Sequence, residues 1–164
     1  FMKIPSCRYN DLLKKIFSAL GKDDLPDHRS MLLSTEMIRE MYDSGLINFG
    51  GHTKSHSALS LLDKNMINKE VTEHKLLLER KLNIPIRSFS YPYGMPRFIV
   101  DEGVDEVKNS GYKYAVTGVT GELYGIDDNY FMLPRVSTTG SRSVNDLIIR
   151  ISHLYNKIKR KIRM

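Results

Sequence analysis

The sequence predicts an α/β fold built from parallel βα units in one domain, and three observations predict it. Segments with helical spacing alternate with short apolar, β-compatible runs. The connections between them are only a few residues long. No internal repeat, low-complexity stretch or Gly/Ser-rich linker divides the chain. Either a barrel or an open doubly wound sheet satisfies this pattern, and in both the chemistry sits on loops after the carboxyl ends of strands.

Leu12, Leu13, Ile16, Phe17 and Leu20 recur at helical spacing and Gly21 follows them, which predicts an amphipathic helix with a glycine stop. Residues 22–30 are polar, contain Pro26 and read as loop. Ser34 is placed to cap a second helix carrying Met37, Ile38 and Met41, with Gly45 as its stop. The run Leu46-Ile47-Asn48-Phe49-Gly50 reads as a buried strand. Asp63 opens a long helix whose apolar stripe is Met66, Ile67, Val71, His74, Leu78 and Leu82, and Asn83 and Pro85 end it. Residues 87–91 read as a strand and 92–96 as a loop. Residues 100–110 are helical with Gly111 as stop, 112–117 form a strand, and 127–129 a turn. Residues 131–137 form a further strand, and Val144 to Tyr155 a closing helix.

Composition narrows the function classes. The chain has 164 residues, 41% hydrophobic and 27% charged, which is ordinary globular composition and excludes disordered and fibrous classes. The net charge of +6 points to nucleic acid until it is located. Lys157, Lys159, Arg160, Lys161 and Arg163 lie in the last residues with no acid after Asp146, so the body is nearly neutral. The chain is therefore divided into one domain, 1–154, and a basic tail, 155–164. The tail has no interleaved aromatics and reads as solvated, so no nucleic-acid partner is expected. The single cysteine, Cys7, cannot form an intramolecular disulfide. No apolar run approaches the ~18 residues that span a bilayer, and Phe1-Met2-Lys3-Ile4-Pro5 lacks a signal-peptide core. That start suggests a fragment boundary.

Two strand-end loops carry the candidate chemistry. In Gly50-Gly51-His52-Thr53-Lys54-Ser55-His56 the two histidines stand four apart, so a helical turn there would project both imidazoles to one side, where they can share a divalent ion. Imidazole suits zinc, cobalt, nickel or iron. Thr53 replaces the glutamate of a His-Glu-x-x-His protease motif, which disfavours that class. The alternative is two loop histidines without a ligand. The second loop, Phe89-Ser90-Tyr91-Pro92-Tyr93-Gly94, surrounds an aromatic with a rigid proline and a permissive glycine and can present a backbone N–H to a bound carbonyl. Its alternative is a tight turn with packed tyrosines.

Together these loops resemble the polysaccharide deacetylase family, the carbohydrate deacetylases with a NodB homology domain. His52-Thr53-Lys54-Ser55-His56 is similar to the family's His-Ser/Thr-x-x-His metal motif, and Arg87 to Gly94 to its Tyr-Pro-Tyr-Gly variant motif. Gly111-Tyr112 before a strand and Leu133-Pro134-Arg135-Val136 resemble later segments, so the likeness covers about residues 32 to 140. The resemblance implies a distorted (β/α) barrel of the NodB type and metal-assisted removal of acetyl from an N- or O-acetylated sugar. It implies His52 and His56 as metal ligands, with zinc as the expected ion and cobalt or nickel as substitutes. It further implies the Tyr93 backbone N–H as oxyanion donor, Tyr91, Pro92 and Tyr93 as substrate contacts, and Arg135 orienting a catalytic group, for which a structural ion pair is the alternative. The partner implied is a polysaccharide or oligosaccharide, and the location envelope-facing or extracellular.

Departures from the pattern matter as much. The family's Asp-Asp strand end, which supplies a general base and a third ligand, is absent; Asp23-Asp24 follows a helix and a loop and does not take that role. The chain is therefore expected to lack the first βα unit or units of the barrel, to be inactive or nearly so alone, and to self-associate through exposed edges. His153-Leu154 reverses the family's Leu-x-His order, and Ser90 stands where many members have Arg. A second expectation is a non-catalytic carbohydrate-binding or scaffold protein that uses exposed aromatics such as Tyr91, Tyr93 and Tyr124.

Overall fold

The computed structural model describes residues 9–21, 32–121, 129–136, 143–145 and 148. Asp23-Asp24, Tyr124, His153, Cys7 and the basic tail lie outside the described residues, as do most of the expected turn at 127–129 and most of the closing helix.

Helix α1 (Tyr9–Ala19) forms where the periodicity places it, and Gly21 follows at φ +66°. Its apolar face is not part of the core among the described residues: Ile16 is 40% and Leu20 68% exposed. Helix α2 (Thr35–Asp43) starts as expected, with the Ser34 hydroxyl accepting the Met37 N–H at 3.2 Å. Ile38 and Tyr42 turn to the core while Met37 stays exposed. Arg39 Nε donates to the Leu82 carbonyl at 3.1 Å, tying α2 to the end of the next long helix.

That helix is interrupted. It runs as α3 (Lys64–Asn68), capped by Asp63, then a π-helical turn (Lys69–Glu73), then α4 (His74–Leu82), which stops at left-handed Asn83. The wider π turn advances the phase by about one residue. Ile67, Val71, Leu78 and Leu82 face the core as the 3.6 period predicts, but Lys75 rather than His74 fills the position between them. The alkyl stem of Lys75 covers apolar surface, its ammonium meets Glu79 at 2.8 Å and lies over the Tyr112 ring.

Strands β1 (Ser88–Ser90), β2 (Tyr114–Thr120) and β3 (Leu133–Arg135) make one parallel sheet in the order β1-β2-β3. Phe89 pairs with Ala115, and Val116 with Leu133, before the register shifts. Pro134 cannot donate to a ladder, which suits the edge position that β3 has among the described residues. Helix α5 (Asp101–Asn109) crosses back from β1 to β2, and Val107 and the π turn's Val71 are wholly buried beneath it. Leu59, Ile86, Phe89, Tyr91, Tyr112 and Ala115 complete the centre, where each large apolar side chain contributes roughly 1.5–3 kcal/mol by leaving water.

The strand expected at 46–50 is not a strand. Only Gly51 pairs, as an isolated parallel bridge to Phe89, and Leu46 is 85% exposed. A strand needs a partner along its length, and among the described residues this segment meets one only at its last step. The α/β class with parallel βα units thus holds, as an open three-stranded sheet among the described residues rather than a closed ring. No helix of the described residues is long and apolar enough to cross a membrane.

Candidate functional site

The bridge at Gly51 delivers the first loop to the end of β1. Gly51 N–H donates to Ser88 O at 2.8 Å and Ser90 N–H to Gly51 O at 2.9 Å. A side chain at residue 51 would strike the Tyr112 hydroxyl, its Cβ lying 2.3 Å away, so the approach needs glycine. His52 follows directly, and its Nδ1 sits 2.6 Å from the Ser90 carbonyl oxygen. A carbonyl can only accept, so Nδ1 carries the hydrogen and Nε2 keeps the lone pair that a metal needs. Desolvation lowers the His52 pKa below its usual value against the opposing pull of that carbonyl, and the nearby His56 and Arg135 lower it further. Neutral imidazole is the ligating form.

The two histidines come together, though not by a helical turn. Thr53 and His56 take left-handed backbone angles, φ +59° and +56°, and the imidazole centres stand 4.8 Å apart, edge to face. The ring of Tyr93 packs on His56 at 4.9 Å and Phe98 on Tyr93 at 5.2 Å, so the pair sits against an aromatic wall. Thr53 is buried and its hydroxyl has no partner among the described residues.

A divalent ion fits this donor set in part. Two imidazoles at that separation, one with its tautomer locked by a carbonyl, suit zinc or a similar ion. No cluster of three or more His, Cys, Asp or Glu side chains exists among the described residues, so the third ligand is not among them.

The second loop divides into wall and core. Tyr93 stands at φ +62°, 37% exposed, and no acceptor among the described residues meets its backbone N–H. Gly94 follows at φ +65°, its carbonyl accepting Gly118 N–H at 2.7 Å, and a Cβ there would lie 2.3 Å from that nitrogen. Tyr91 and Pro92 correct the expectation of exposed sugar contacts. Tyr91 is 1% exposed, its hydroxyl donates to Phe131 O at 2.9 Å, and burial pushes its pKa well above the usual 10; Pro92 is likewise buried. Tyr91 continues the inward alternation of Phe89, two residues before it. Exposed Arg135 donates from Nε to the Thr117 carbonyl, tying β3 to β2 rather than forming an ion pair among the described residues.

Sequence reasoning missed Glu70. It is 6% exposed, and its two carboxylate oxygens accept the Ser55 N–H at 2.8 Å and the Ser55 hydroxyl at 2.7 Å, inside the histidine loop. The available signal was an acid beside the buried stripe, between Ile67 and Val71.

The polysaccharide deacetylase family model matches residues 13–115. A Staphylococcus epidermidis poly-β-1,6-N-acetyl-D-glucosamine N-deacetylase is 28% identical over 117 residues, which are 66% of this chain and 39% of that protein. A Bacillus cereus polysaccharide deacetylase structure is 28% identical with a TM-score of 0.64, over 73% of this chain and 37% of that one. A Streptococcus pyogenes deacetylase solved with acetate, 22% identical, shares the fold at a TM-score of 0.66 over 73% of this chain and 51% of its own. The chain thus spans well under half of the curated relative it matches. With the family match running from α1 into β2 and bracketing both loops, the chain belongs to the polysaccharide deacetylase family.

Proposed function

We propose that the chain contributes the metal-binding part of a hydrolase that removes acetyl groups from N-acetylated sugars of a polysaccharide. The observation that carries this reading is the His52–His56 pair, with the His52 tautomer set by Ser90. The N-acetylglucosamine polymer of the S. epidermidis relative supports the substrate class, with O-acetyl sugars as the variant to test.

His52 through Nε2, together with His56, would hold a divalent cation, with zinc as the first choice and cobalt or nickel as substitutes. Such an ion supplies Lewis-acid polarisation of the acetyl carbonyl and lowers the pKa of bound water. The remaining work belongs to the chain. Ser90 keeps the His52 lone pair available, and Tyr93 offers its N–H where negative charge develops on the acetyl oxygen. The Tyr93 and Phe98 rings shield one side of the site from water. Arg135 keeps β2 and β3 in register and adds positive potential near His52.

Among the described residues no third His, Cys, Asp or Glu joins this pair to hold an ion. Slow deacetylation by the 164-residue chain alone is the expectation that goes with this reading. A polymeric sugar substrate supports a location facing the cell envelope or outside the cell. The missing third ligand also favours a second reading, glycan binding without catalysis, in which Tyr93 is the exposed aromatic.

Zinc content and affinity of the purified chain and of His52→Ala/His56→Ala, with acetate release from N-acetylglucosamine oligomers, separate these readings. Stoichiometric zinc lost in the double variant supports the metal site. Glycan affinity indifferent to chelator and to both substitutions gives the second reading priority.

A further inference from the structure

We propose that Glu70 is the positioning residue of the histidine loop, clamping Ser55 so that His52 and His56 are held at ligating separation before any ion binds; this rests on the metal-site reading above. The loop needs an external brace. Thr53 and His56, on either side of Ser55, both have left-handed backbones, and a β-branched threonine is poorly suited to that region. Backbone of this kind persists where the surroundings over-determine it.

Glu70 supplies that determination from a different element. It projects from the π-helical turn, where the helix departs from α geometry, and it is almost wholly buried. One oxygen takes the Ser55 backbone N–H and the other its hydroxyl, and that hydroxyl lies 2.8 Å from the hydroxyl of fully buried Ser57. The clamp thus fixes a peptide plane and a side chain midway along the loop. His52 is held from the other end by the Ser90 carbonyl, so the ligands sit on a loop pinned at two points. A carboxylate that only joined helix to loop would not need both oxygens on the residue next to a ligand.

The test uses the full chain and the variants Glu70→Ala, Glu70→Gln and Ser55→Ala, with circular dichroism and melting as controls of fold. Amide exchange of residues 52–57 without metal, and zinc affinity by chelator competition, are the readouts. In folded Glu70→Ala, the Ser55 amide loses at least 10-fold of its protection and zinc affinity falls roughly 10- to 100-fold. Glu70→Gln, which keeps an acceptor for the Ser55 N–H, recovers most of both, and Ser55→Ala combined with Glu70→Ala loses no more than Glu70→Ala alone. Unchanged zinc affinity or unchanged Ser55 exchange in folded Glu70→Ala overturns the proposal. If the unsubstituted chain binds no zinc, the metal reading fails and the exchange arm alone decides the role of Glu70. If Glu70→Ala does not fold, Glu70→Gln combined with Ser55→Ala decides, since it removes the hydroxyl bond and weakens the N–H bond: wild-type zinc affinity together with wild-type exchange at residue 55 in that variant overturns the clamp.

Discussion

His52 Nδ1 lies 2.6 Å from the backbone carbonyl of Ser90, a hydrogen bond that joins two loops 38 residues apart. Because the acceptor is main chain, the bond depends on where β1 ends and not on which side chain stands at residue 90. The His52 orientation is therefore independent of the serine side chain at residue 90. This bond also makes the backbone path through residues 90–94 the feature on which the site depends.

Gly94→Ala tests that path. A Cβ at residue 94 would lie 2.3 Å from the Gly118 backbone nitrogen at φ +65°, and backbone cannot move aside as a side chain would. The substitution is expected to destabilise the chain by about 2 kcal/mol or more. It also weakens zinc binding, because Tyr93 packs on His56. A urea midpoint within error of the unsubstituted chain contradicts the described loop.

Lys75 and Glu79 form a part-buried pair beneath Tyr112, and Glu79 also accepts the Ile86 N–H at 2.9 Å. Glu79→Ala strands both donors and is expected to cost about 2–3 kcal/mol. Lys75→Met keeps the apolar stem and costs less. Chemical denaturation of both variants checks the order; equal losses would mean that the ion pair, and not the orphaned N–H, dominates.

Stability should fall on both sides of neutrality. Desolvation and the Lys54 charge lower the His74 pKa against the pull of Glu70, so below about pH 6.5 the unfolded chain binds more protons and stability declines as pH drops. Burial raises Tyr91 and Tyr112, the latter helped by Glu79, so above about pH 10 the unfolded chain releases protons first and stability declines as pH rises. Melting temperature against pH checks this, with His74→Phe expected to flatten the acid limb. An acid limb unchanged in that variant assigns it to other groups.

The segment at 46–50 leaves Leu46 and Ile47 exposed beside an edge that, among the described residues, is bridged only at Gly51. Concentration-dependent self-association is expected, reduced by Leu46→Lys with Ile47→Lys. Sedimentation showing a monomer at every concentration removes this expectation.

Local chemistry made much of the molecule legible in advance. Ser34 and Asp63 cap helices because a short oxygen side chain reaches the N3 amide, and Gly21, Gly45 and Gly111 end segments because they accept positive φ; both facts follow from neighbours in the chain. The histidine motif and Tyr-Pro-Tyr-Gly were readable for the same reason, being short and contiguous. What only the tertiary structure decided depends on residues far apart. Lys75 rather than His74 fills the stripe just after a π turn, Tyr91 turns inward two residues after Phe89, and among the described residues 46–50 finds no strand partner. Glu70 was invisible because its meaning lies 15 residues away at Ser55. Periodicity reports which face an element presents, whereas the partner that meets that face is settled only when distant segments pack.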